Sequence, residues 1–115
     1  ERVSGFIDCD HLSIGPRVLD LASFIVHMIY EHVTDRERTA EWFELFPAVI
    51  EGYETEAPLR REEKRALYYV MLAVLLIFTG WFFETGEPAK ARGELEALSW
   101  MHDNRQRILD GIAAV

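Results

Sequence analysis

The chain has 115 residues and a mass of 13.3 kDa, the size of one ordinary domain, with 50% hydrophobic and 12% aromatic residues; that is enough to bury a core and excludes an intrinsically disordered chain. Twenty acidic residues against 12 basic give a net charge of −8, and no basic run is long enough to follow a phosphate backbone, so nucleic-acid binding is not expected. Cys9 is the only cysteine, which rules out an internal disulfide and points to a reducing, cytoplasmic setting.

The opening Glu1-Arg2-Val3-Ser4-Gly5 has neither an initiator Met nor a secretory pattern and reads like a chain cut inside a domain. Residues 3–8 carry the β-branched and aromatic types Val3, Phe6 and Ile7 and stop at polar residues, which predicts one short strand. No second strand is legible. The unpaired backbone of residues 3–7 is therefore expected either to self-associate with another copy or to be distorted.

After Ser13-Ile14-Gly15-Pro16, with proline where a first helical turn accepts it, residues 17–33 are apolar nearly all round and predict a buried helix. Thr34 and Asp35 suit the cap of a second helix over 36–53, bent or interrupted near Pro47 and losing order around 52–58. A third helix starts after Pro58 with a charged turn over 60–65, then continues without a charge through 66–83. About 18 apolar residues is the lower limit of a membrane span. Tyr68, Tyr69, Thr79 and Gly80 dilute the run, and the neighbouring apolar helices need a partner, so the segment reads as a central core helix with no membrane association. Thr85-Gly86-Glu87-Pro88 ends it, and a fourth helix over 88–112 carries Leu95, Leu98, Met101, Ile108 and Ile112 on one stripe.

Asp8 and Asp10 stand where the predicted strand ends. Carboxylates fixed there suit Mg²⁺, although Asp-x-Asp spacing by itself is more often a capping or turn feature. No Lys or Arg lies within two residues of Cys9 to activate its thiol, and no second cysteine or closely spaced histidine joins His11 in a zinc site, so both read as packing or turn residues.

Ile7-Asp8, Asp10, Gly15-Pro16-Arg17 and Asp20-Leu21-Ala22, in that order and spacing, resemble a segment of the aminoglycoside phosphotransferase and choline kinase-like family. Gly52-Tyr53, Pro58-Leu59, Glu62-Glu63 and the last helix around Trp100 extend the resemblance over most of the chain. It implies a mainly α chain of one strand and about four helices: the C-terminal lobe part of a protein-kinase-like fold, with a strand and metal loop over 1–15 and a helical subdomain over 16–115. It further implies an ATP- and Mg²⁺-dependent kinase that phosphorylates a hydroxyl of an aminoglycoside- or choline-like acceptor. Asp8 then ligates Mg²⁺, Asp10 is a second candidate ligand, direct or through water, and Asp20 is a buried strut hydrogen-bonded to the backbone of a catalytic loop.

The glycine-rich nucleotide loop, the strand lysine and the His-Gly-Asp-x-x-x-x-Asn-type catalytic loop of such a kinase are not in these residues, so the 115 residues alone are expected to be inactive. The acceptor would bind among the C-terminal helices, but the sequence does not select among Glu84, Glu87 and Asp103. The competing expectation is an independent helical module that binds a protein partner and has no catalytic role.

Overall fold

The computed structural model describes residues 15–29 and 36–115. Among them the chain is all-helical: α1 (Val18–Ile29), α2 (Arg36–Glu56), α3 (Arg61–Glu84), α4 (Pro88–Asp103) and α5 (Arg105–Ala113). The predicted strand over 3–8, and with it the expected self-association, lies outside the described residues. So does the predicted continuation of the first helix over 30–33.

The long third helix is the centre of the packing, as its uncharged run predicts. Leu67, Met71 and Leu75 are completely buried on its inner face, Tyr68 and Val74 nearly so, and α1 and α4 flank them. Arg17 lies against Glu63 at the start of α3, and His27 meets Phe78 near its end at 5.4 Å, so α1 and α3 run in the same direction. The helix end has an identifiable cause. Gly86 adopts φ 77°, Glu87 N–H donates to Phe82 O at 2.8 Å, and Gly86 N–H donates to Phe83 O at 3.3 Å. This is a Schellman closure, and Pro88 then supplies the first turn of α4. The reversal is tight enough to carry Lys90 back over the Phe82 ring, at 5.6 Å.

Trp42 of α2 joins the elements on the other side. It is fully buried, stacks on Phe46 at 4.6 Å, and meets Trp100 of α4 edge-on at 5.1 Å. Its indole N–H donates to Ile25 O of α1 at 3.4 Å, which satisfies the ring's one polar atom. On Phe46 sits Gly111 of α5, where an added Cβ would come within 2.5 Å of the ring. Gly111→Ala is accordingly expected to destabilise the fold by about 1 kcal/mol, because overpacking at about 1–3 kcal/mol exceeds the roughly 1 kcal/mol of helix propensity gained. Urea unfolding checks this, and a variant at least as stable as the parent contradicts it.

Four sequence expectations need correction. The first helix is not buried all round: Phe24 is 58% exposed and Leu19 is exposed beside it, because α2 and α3 cover only the face carrying Leu21, Ala22, Ile25 and Ile29. The second helix does not lose order at Gly52 but runs to Glu56, stopping where Pro58 disfavours helical geometry at the preceding residue. Pro47 is accommodated inside it. The fourth helix is two helices, because the Asn104 side chain donates to Trp100 O at 2.9 Å while its own N–H donates to the same carbonyl at 3.0 Å, and that double claim closes α4. Finally, Leu95 is exposed, and the inner face of α4 is Ala91, Glu94, Ala97 and Met101.

Candidate functional site

The end of the molecule that carries the sequence motif is held by Arg17. Its guanidinium donates from Nε to Glu63 Oε1 at 2.8 Å, from Nη2 to Glu63 Oε2 at 2.6 Å, and from Nη2 to Pro58 O at 2.7 Å. This fork-to-carboxylate pairing fixes direction as well as distance. Glu63 also accepts the Arg60 N–H at 2.6 Å, the backward reach of a capping-box acid at the third helical position. The Arg17 hydrogen bond first, and the Arg60 backbone bond second, hold the Glu63 carboxyl down at about 2 from its usual 4.5. Stability linked to this group is present above the usual carboxylate range and is lost as pH falls through about 2. Thus Gly15-Pro16-Arg17 and Glu62-Glu63, two separate parts of the sequence pattern, meet at one ion pair.

Asp20, expected to be a buried strut, is exposed on the first turn of α1. With Leu21, Phe24, Val49 and Tyr53 it lines a cavity of about 320 Å³ between α1 and α2. Asp8, Asp10, Cys9 and His11 lie outside the described residues. Among those described, no group of three or more His, Cys, Asp or Glu side chains is arranged to hold a metal ion.

A cavity of about 580 Å³ lies between α3 and α5 and is lined by Arg61, Lys64, Arg65, Tyr69, Leu109, Ile112 and Ala113. Its cations are not waiting for a ligand in any obvious sense: Lys64 pairs with Glu54 at 3.0 Å and donates to Val115 O at 3.1 Å. Arg61 and Arg65 are solvent-exposed.

A cavity of about 300 Å³ at the opposite end of α1 has sharper chemistry. It is lined by His27 of α1, Phe78 and Phe82 of α3, and Lys90, Gly93 and Glu94 of α4. The Glu94 residue is only 4% exposed, and its Oε2 has no hydrogen-bond partner. Burial without a partner penalises the charged form and pushes this carboxyl up to about 7 from 4.5. Nearby, Lys90 Nζ pairs with Glu87 Oε1 at 2.7 Å as it rests over Phe82. The arrangement is an acid at the base of an aromatic pocket, with positive charge at its rim already matched by a second acid.

Of the three acids left open by the sequence, Glu87 lies beside this cavity through Lys90, while Glu84 and Asp103 are exposed and are not among its lining residues. Glu94 was not among them. The signal that marks it is the spacing Ala91, Glu94, Ala97, Met101, which places it on the inward stripe of α4; the larger leucines at 95 and 98 draw the eye to the neighbouring face.

Comparison with family models, with curated proteins and with solved structures gives no match to this chain.

Proposed function

We propose that these 115 residues are the C-terminal helical part of a cytoplasmic, ATP- and Mg²⁺-dependent small-molecule kinase of protein-kinase-like fold. The support is the ordered run Ile7-Asp8, Asp10, Gly15-Pro16-Arg17, Asp20-Leu21-Ala22. The single structural observation that carries the reading is the Arg17 fork on Glu63 and Pro58 O, which fixes the start of the first helix, seven residues after Asp10 in the sequence, against the long helix. In this reading Asp8, with Asp10 as second candidate, would hold Mg²⁺, and the metal would neutralise charge on the transferred phosphoryl group. The chain's own helices supply positioning and an acceptor surface. Partners are a nucleotide and a small-molecule acceptor.

The test uses the longer protein that includes an upstream catalytic loop, screened for acceptor-dependent nucleotide consumption. Asp8→Asn is expected to lower turnover about a hundredfold or more, the scale on which a single electrostatic group contributes to charge stabilisation, and residues 1–115 alone to show no transfer. Unchanged turnover in Asp8→Asn, or robust transfer by the 115 residues, rejects the reading.

A second reading, a helical module that binds a protein partner, is favoured by one observation. The outer face of α3 is apolar as well as the inner one: Leu76, Ile77, Trp81 and Phe83 are all more than half exposed. Uncovered apolar surface of that kind marks interaction sites. The helix is also long and apolar enough to cross a membrane, and one third of its most apolar window is buried among the other helices.

A further inference from the structure

We propose that the cavity between α1, α3 and α4 binds a small primary ammonium ion with a compact apolar body, anchored on Glu94. Three observations converge on that chemistry. A carboxylate oxygen that is almost wholly buried and has no partner needs a hydrogen-bond donor, and a charged donor compensates best for the lost hydration. The remaining surface is supplied mainly by the rings of Phe78 and Phe82 and by Gly93, whose missing side chain leaves open space. These rings accept positive charge: Lys90 already rests on Phe82. A volume of about 300 Å³ suits a compact ligand. A primary amine is favoured over a quaternary one because Oε2 requires an N–H.

The alternatives fit less well. An anion would face Glu94, and a neutral apolar molecule would leave the carboxyl oxygen unsatisfied. The groups facing Glu94 are His27 from α1 and Lys90 from α4, with Glu87 offsetting Lys90; α3 contributes only aromatic rings to the lining. The site lies about 15 Å along α1 from the Arg17 anchor, ten residues at the helical rise. It therefore goes beyond the phosphotransfer reading and does not depend on it.

Binding takes the carboxylate form of Glu94, so the proton held in the free cavity is released as the ammonium enters. Because the free carboxyl titrates near 7, affinity should rise about tenfold between pH 6 and pH 8.

The test is calorimetric titration of the 115-residue chain with benzylammonium at pH 6 and pH 8, with benzyl alcohol as the uncharged isostere and circular dichroism to confirm folding. One site is expected, about tenfold tighter at pH 8. Glu94→Gln should weaken binding at pH 8 at least tenfold and flatten its pH dependence, and benzyl alcohol should bind at least tenfold more weakly than the amine. The proposal is overturned by a folded chain that gives no binding at pH 8, by a Glu94→Gln variant that binds like the parent, or by an alcohol that matches the amine. None of these readouts involves a nucleotide, so failure here and failure of the phosphotransfer reading are separately visible.

Discussion

Trp42→Ala is expected to remove about 3–5 kcal/mol of the stability of the fold. The ring is completely buried and touches α1 through Ile25 O, its own helix through Phe43 and Phe46, and α4 through Trp100. Its loss opens a cavity that the stiff aromatic neighbours cannot collapse to fill. Large aromatic deletions of this kind cost about 3–5 kcal/mol, against a total of about 5–15 kcal/mol for a domain. Urea denaturation followed by far-ultraviolet circular dichroism should show the midpoint lowered by roughly 1–5 M, at a slope of about 1–3 kcal/mol per molar. Leu45→Ala on the same helix is the control, since Leu45 is 45% exposed and its removal should cost well under 1–2 kcal/mol. A Trp42→Ala variant no less stable than the Leu45→Ala variant would show that the aromatic cluster does not hold these helices together.

The second large effect is expected from pH. Glu94 titrates at about 7 when folded and near 4.5 when free of the fold, because burial disfavours its charged form. A raised carboxyl means that the folded state holds a proton which the unfolded chain has already released. Its contribution is fully present below about 4.5, declines as pH rises from there, and is gone above about 7. The displacement corresponds to about 3 kcal/mol, at about 1.4 kcal/mol per unit. The parent should therefore lose stability between pH 5 and pH 8 relative to Glu94→Gln. Subtracting the two unfolding free energies at each pH removes the other titrating groups. The variant should be the more stable protein at pH 8 by up to about 3 kcal/mol and nearly equal to the parent at pH 5. A constant difference across that range would mean that the carboxyl is hydrated or partnered in solution.

Both effects trace to residues whose importance is unevenly legible in the sequence. The four helical regions and the central place of the long uncharged run follow from periodicity, because a segment that buries one face must repeat its apolar residues at helical spacing. The turn at Thr85-Gly86-Glu87-Pro88 is equally legible, since only a residue tolerant of positive φ closes a helix in this way. The split at Asn104 was not. Asparagine is tolerated within helices, and only its capture of the Trp100 carbonyl in the folded chain turns it into a boundary. The candidate site divides similarly. The motif that suggests phosphotransfer can be read from residue order, whereas the burial of the acids cannot: Asp20, expected to be buried within an apolar helix, is exposed, and Glu94, in a mixed helix, is enclosed.

The sequence by itself determined that this is an acidic, helix-rich chain built around one uncharged helix, with two carboxylates, Asp8 and Asp10, close together near its start. Those properties depend on local composition and spacing, which neighbours along the chain are sufficient to set. The tertiary structure decided that Arg17 reaches across 46 positions to Glu63, that Trp42 joins three helices, and that Glu94 is left without a partner beneath Phe78 and Phe82. Each of these is a meeting of residues distant in sequence, and burial or pairing between them is fixed only when α1, α3 and α4 settle on one relative rotation.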